Sequence, residues 1–262
     1  MRPIPRVAVA TALLSVTGGL LAGCGGAAAQ TPASPSPSPV ATDPGSPADR
    51  LAGLVAAAAD RHYTATYDWT PAGSSRRQIT VTLAEDGSWR LDVPRAGLGG
   101  GKDVSVAGTP AGVYQCGLGD DPSCVKVAAP GGRVPARYDP RIETLFTHWI
   151  GTLGDRGAAL SVDTAPRLSG VSAGSCFSIE PTAASLSSPV PSGIYCLDAD
   201  GTVTGARLGI GTLVLSGTPG PAPKTVKLAG PVTGGHAVPT TSPSPSPSPS
   251  RSPSGSPSAS HR

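Results

Sequence analysis

The sequence predicts an α+β fold in which an antiparallel β-sheet carries helices on one face. Three observations lead there. Apolar and polar residues alternate with a period of two in a succession of short stretches within residues 46–230. Only two stretches switch to helical spacing. Strands and helices do not alternate regularly, so a parallel doubly wound sheet is disfavoured.

The first helix starts at Ser46-Pro47-Ala48-Asp49. Ser46 can cap, Pro47 fits the first turn, and Asp49 faces the positive helix end. Leu51, Leu54, Val55 and Ala58 then form one apolar side. The period changes at once to two: Tyr63, Ala65, Tyr67 and Trp69 alternate with Thr64, Thr66 and Asp68. Ile79, Val81 and Leu83 form a second strand, Asp86-Gly87 a hairpin turn, and Trp89, Leu91 and Val93 a third strand. Asp103–Ala107, Ala111–Cys116 and Ser123–Val127 follow, the last two joined by a turn over Gly117–Pro122. The second helix is capped by Asp139 and opened by Pro140, with Ile142, Leu145, Phe146, Trp149, Ile150 and Leu153 on one face and Gly154 or Gly157 at its end. Cys176–Glu180, Gly193–Asp198, Val203–Leu208, Thr212–Ser216 and Thr225–Leu228 read as further strands, with Asp200-Gly201 as another turn.

Composition separates this body from its ends. The chain of 262 residues holds 35 glycines and 30 prolines, and 16 of those prolines lie outside residues 48–230. Charged residues are 14% and aromatics 4%, which argues against a coiled coil and against a strongly charged disordered chain. The formal charge of +3 comes from the ends, since residues 46–230 hold 16 Lys/Arg and 16 Asp/Glu. With no basic cluster beyond Arg76-Arg77, a nucleic-acid partner is not expected.

Arg2 and Arg6 precede an uncharged, mostly apolar run from Val7 to Leu21. That run is shorter than the roughly 20 residues of a membrane span and suits the core of a signal peptide. It ends in Leu21-Ala22-Gly23-Cys24, which resembles a bacterial lipobox. The resemblance implies that residues 1–23 are a lipoprotein signal peptide, and that Cys24 is lipidated on sulfur and becomes the new N-terminus. Residues 24–45 would be a lipidated, disordered tether, and residues 231–262, with Ser and Pro alternating over Ser242–Ser250, a disordered tail. The protein is then expected on the outer, extracytoplasmic face of the cell membrane, held by its lipid anchor.

Four cysteines remain: Cys116, Cys124, Cys176 and Cys196. An exported domain sits where disulfides persist. Three pairings are possible, and the reading favours sequence neighbours, Cys116 with Cys124 and Cys176 with Cys196, because each pair brackets a hairpin or loop. The alternative is a four-cysteine metal site, disfavoured because no C-x-x-C occurs.

The short helix before a Tyr-rich strand, the Asp86–Asp92 hairpin and the Tyr195–Gly201 hairpin, taken with the lipobox and tether, resemble secreted lipoproteins of Gram-positive-type bacteria. Residues 46–230 are similar to the LolA/LprG-like envelope lipoprotein family. That resemblance implies a curved antiparallel half-barrel with two main helices on one face. It also implies either an acyl chain held between sheet and helices or a partnership with envelope machinery.

Gly170-Val171-Ser172-Ala173-Gly174 matches a nucleophile elbow, with Asp198, Asp200 and His236 downstream, but the residues after it read as a strand where the elbow needs a helix. Gly97–Gly101 before Lys102 lacks the first Gly and the Ser/Thr of a phosphate loop. Asp198-Ala199-Asp200-Gly201 fits a tight turn better than a calcium loop. His62, His148, His236 and His261 show no ligand spacing. No metal, no cofactor and no catalysis are therefore expected. Trp69, Trp89, Phe146 and Trp149 are the candidate ligand-binding residues, for an apolar or lipid-like ligand between sheet and helix, with core packing as the competing account. The alternative function is an accessory or sensor lipoprotein that binds another envelope protein through an exposed apolar patch.

Overall fold

The structure, a computed structural model, describes residues 45–182 and 188–241. The segments expected to be a signal peptide and a tether, with Cys24 between them, and most of the Ser/Pro-rich C-terminal segment lie outside the described residues. Helix α1 (Pro47–Ala59) begins as its sequence dictates: the Ser46 hydroxyl accepts from the Asp49 N–H, and the Asp49 carboxylate accepts from the Ser46 N–H. Leu51 and Val55 are its buried residues.

Eleven antiparallel strands follow. They are β1 (Tyr63–Pro71), β2 (Arg77–Leu83), β3 (Trp89–Gly97), β4 (Lys102–Thr109), β5 (Gly112–Gly117), β6 (Ser123–Ala128), β7 (Leu160–Ala165), β8 (Ser175–Pro181), β9 (Gly193–Leu197), β10 (Val203–Leu208) and β11 (Gly211–Gly220). They form one open sheet in the order β6-β5-β4-β3-β2-β1-β11-β10-β9-β8-β7. Between β6 and β7 a π-helical turn, Leu145–Trp149, runs directly into a short helix α2, Ile150–Leu153.

Opposed residues on neighbouring strands share a face. Ala65, Val81, Leu91 and Val106 are opposed in succession, all buried, on the face that meets the helices. The opposite face carries Thr66, Thr80 and Asp92 in the same manner. The main core joins Leu51 and Val55 of α1, Leu145, Trp149 and Ile150 of the second helical segment, and Tyr67, Phe177 and Tyr195 of the sheet. Each such side chain contributes about 1.5–3 kcal/mol on burial. Two disulfides lie across opposed strand residues, Cys116–Cys124 between β5 and β6 and Cys176–Cys196 between β8 and β9. All four cysteines are thereby used, which removes the four-cysteine metal alternative.

Four expectations are corrected. The second helix does not open at Pro140. The Asp139 carboxylate accepts from the Arg141 N–H, and Arg141 is left-handed at φ +68°, so the chain turns there before the helix starts. Its two helical pieces are short, although Ile142, Leu145, Trp149, Ile150 and Leu153 are buried as their spacing implied. Thr225–Leu228 is not a strand. Pro221 and Pro223 precede it and cannot donate to a ladder, and its Val226 N–H donates instead to the Ser88 hydroxyl. Strand β7 was not foreseen, because only Leu160 and Val162 mark its inner side.

The fourth correction concerns the end of the body. It does not stop at Gly230. Residues 221–227 lie against Thr64, Thr82, Arg90 and Asp92 of the opposite face. The chain then passes the outer edge of β6, where Cys124 N–H donates to Pro231 O and Thr233 N–H to Cys124 O. It finishes on the helix-bearing face with Val238 against the Val104/Val106/Val113 cluster.

Candidate ligand-binding cleft

An opening of about 930 Å³ lies between the helices and one end of the sheet. Ala52, Val55 and Ala56 of α1 form one wall, and Phe146, Ile150 and Gly151 of the second helical segment form another. Leu83 and Trp89, flanking the β2–β3 turn, face them, and Val113 with the Gly108–Pro110 turn closes the end. The alanines matter: a helix with methyl groups at these positions leaves room that larger side chains would fill. The lining is mainly apolar, and the cleft is open to solvent.

Local structure holds this shape. α1 lies directly on the β9–β10 turn, where a Cβ on Gly201 would come within 2.1 Å of the Ala58 nitrogen. Gly201 also has φ +83°, so the position demands glycine twice over. Arg61, just past α1, pairs with Asp200 at 2.7 Å and donates to the Thr202 hydroxyl at 3.2 Å. Below the helices, the Tyr63 and Tyr67 hydroxyls are 3.0 Å apart, and Tyr67 donates to Val203 O at 2.9 Å. Burial pushes Tyr63 up to about 12 and Tyr67 well above its usual value, so both are neutral phenols. The Phe146 ring sits 5.2 Å from that of Tyr67, tilted by 56°.

The rim is polar. His62, His148, Asp86, Asp155 and Arg61 stand on it. Partial burial, followed by the Arg133 charge, holds the His148 imidazole below its ordinary value, and it is neutral at neutral pH. Hydrogen bonds from the Ser88 hydroxyl and N–H hold Asp86 below the usual carboxylate range.

The four candidate ligand residues divide. Trp89 and Phe146 line the cleft, half-buried. Trp69 and Trp149 do not line it and belong to the core. Trp69 sits instead under Arg77, its cross-strand partner, with the guanidinium 5.4 Å from the ring centroid. The alanines of α1 and the Gly151 position were missed, because small residues carry no sequence signal of their own.

The other motifs fall in turns. Gly170–Gly174 forms a loop between β7 and β8, two neighbouring antiparallel strands, without the strand-to-helix junction of a nucleophile elbow. Asp200 Oδ1 accepts from the Thr202 N–H, as a turn residue does. Among the described residues no three His, Cys, Asp or Glu side chains gather as metal ligands. Among them, too, no helix is long and apolar enough to cross a membrane.

No family model matches the chain, and no curated protein matches it. Among solved structures it is similar to the complex of MucA and MucB from Pseudomonas aeruginosa, at 15% identity and a TM-score of 0.38 over 68% of this chain. The chain spans 58% of that neighbour's length.

Proposed function

We propose that this chain is a non-enzymatic envelope lipoprotein, anchored through Cys24 on the outer face of the membrane, that binds an apolar, lipid-like ligand in the sheet–helix cleft. Its open sheet is read as the half-barrel of a LolA/LprG-like domain. The observation that carries the binding reading is the cleft of about 930 Å³ with Trp89 and Phe146 in its apolar walls. That volume lies within the range of small-molecule sites, roughly 300–1,000 Å³.

Native mass spectrometry of the full chain from its own host tests the ligand directly. A bound apolar mass is expected. A titration with N-phenyl-1-naphthylamine then assigns the place, with Gly151→Leu as the blocking variant. A Cβ at Gly151 meets nothing within 4 Å, and leucine favours a helix over glycine, so this variant fills the cleft without disturbing the fold. Ligand-free protein and equal probe binding by Gly151→Leu would remove the reading. For the anchor, Cys24→Ala is expected to release the protein from the membrane fraction and abolish labelling by an alkyne fatty acid.

A second reading rests on the cleft's open side. An extended apolar segment of an envelope protein fits such a groove as well as an acyl chain does. Crosslinking from a photoreactive residue at position 151 separates the two, since the first reading yields a lipid adduct and the second a protein adduct.

A further inference from the structure

A second, smaller cleft lies at the other end of the sheet, about 210 Å³ in volume. It is walled by Arg50 of α1, Thr164 of β7, Arg167 of the following loop, and the start of β8 from Gly174 to Phe177. No carboxylate lines it. The large cleft has Asp86 and Asp155 in the same lining as Arg61, and the groove under residues 221–227 pairs Arg90 with Asp92. The small cleft alone of these three has cationic walls without a counter-charge.

The carboxylates close by in sequence are committed or turned away. Asp49 takes the Ser46 N–H, the Ser46 hydroxyl and Arg156. Asp163 precedes Thr164 on β7 and therefore points to the opposite face of the strand. Among the described residues neither Arg50 nor Arg167 enters an ion pair. Arg50 gives one N–H to the Thr164 hydroxyl at 2.9 Å. Arg167 reaches the Ser172 and Gly174 carbonyls only at 3.4 and 3.5 Å. A guanidinium has five N–H donors, so most stay available.

The loop that carries Arg167 is held in place. Leu168 and Val171 pack on the Cys176–Cys196 disulfide, with Ala165, Ile194 and Val214 around them. Arg167 is thus presented from a pinned loop, and Arg50 from a capped helix.

We infer that Arg50, Arg167 and the Thr164 hydroxyl form a binding site for a single phosphate-class anion, either a free phosphate or phosphate ester or the headgroup of an anionic lipid. Planar guanidinium forks match phosphate oxygens bidentately, and a hydroxyl adds a further donor. The small volume suits one such group and excludes a large ligand. This site is independent of the apolar cleft and stands whether or not that cleft binds a lipid.

The test uses the full chain carrying Cys24→Ala, so that no anchor contributes, and its Arg50→Gln, Arg167→Gln and double variants. Isothermal titration with inorganic phosphate is expected to show saturable binding, weakened about tenfold by each single substitution and abolished by both. Arg76→Gln, an exposed arginine elsewhere, is expected to bind as the parent does. Both arginines are exposed, and N-phenyl-1-naphthylamine binding reports the large cleft separately. Sedimentation with phosphatidylglycerol vesicles, against phosphatidylcholine vesicles, names the source: loss with the double variant points to a headgroup, and phosphate binding without vesicle binding points to a soluble phosphate. Absence of saturable phosphate binding up to tens of millimolar, or equal binding by the double variant, overturns the site.

Discussion

The Trp89 indole lies across Gly108, its register partner on the neighbouring strand, so closely that a Cβ on Gly108 would stand 2.3 Å from the indole nitrogen. The missing side chain of one residue is the seat of the other, and both line the apolar cleft. Gly108→Ala must push the indole off β4. A cost of about 1–3 kcal/mol is expected, as for other overpacked sites. Because the ring lines the cleft, naphthylamine probe binding should fall together with Tm. A drop in Tm with unchanged probe affinity would show that Trp89 does not border the binding volume.

Glu143 gives the protein a pH dependence whose sign follows from its burial. Its side chain is 3% exposed, and its Oε2 has no hydrogen-bond partner. Burial, reinforced by the neighbouring Asp139 carboxyl, holds it well above the ordinary carboxylate value of 4.5. The folded state therefore binds this proton more tightly than the unfolded chain does. The contribution to stability is fully present below the unfolded pKa and is lost as pH rises toward the folded one. Glu143→Gln keeps the shape without the ionisation. Urea unfolding across pH 4 to 9 should show the parent losing stability relative to the variant as pH rises, with the two converging at the acid end. A constant difference would mean that the carboxyl ionises freely.

The two disulfides should not contribute equally. Cys116–Cys124 closes a sequence separation of 8 residues and Cys176–Cys196 one of 20. Each is expected to stabilise by about 2–4 kcal/mol, and the longer loop by about 1 kcal/mol more, through restriction of the unfolded chain. The Cys176–Cys196 pair also supports Leu168 and Val171 of the loop beneath Arg167. Paired Cys→Ser variants compared by urea denaturation should therefore rank the 176/196 pair as the more costly. Only that pair should weaken phosphate binding.

What was legible in the sequence was whatever repeats. The alternation of Tyr63, Ala65, Tyr67 and Trp69 named the buried side of β1 residue by residue. The cap at Ser46 set the start of α1. The turn at Arg141 was hidden because Asp139-Pro140 is chemically equal to a helix start, and the side chain chose the shorter-range partner. Strand β7 was hidden because an edge strand needs few apolar residues. The large cleft was half legible. Aromatic residues announce themselves, whereas Ala52, Ala56 and Gly151 shape the space by what they lack. The paired arginines lie 117 positions apart in the chain, too far for any local pattern to join them.

The same limitation concealed the role of residues 231–241, which read as the beginning of the tail. They pass the outer edge of β6, a strand whose backbone groups would otherwise be open to another chain. They also satisfy Gln115, which is 1% exposed on the helix-bearing face. Its amide donates to Val238 O at 2.9 Å and to Tyr138 O at 2.7 Å, and its carbonyl accepts from the Val238 N–H at 2.6 Å. Ending the chain after Gly230 would strip two of these three bonds and uncover the Val104/Val106/Val113 cluster. A loss of several kcal/mol is expected, since buried amide groups left unpaired cost about 1–3 kcal/mol each. The exposed β6 edge should make the truncated protein self-associate. Ending the chain after Thr241 removes only the Ser/Pro repeats and should leave both properties unchanged. Urea unfolding and analytical ultracentrifugation of the two truncations decide it. Equal stability would mean that residues 231–241 do not hold the edge, and the body would then end at Gly230 as composition suggested.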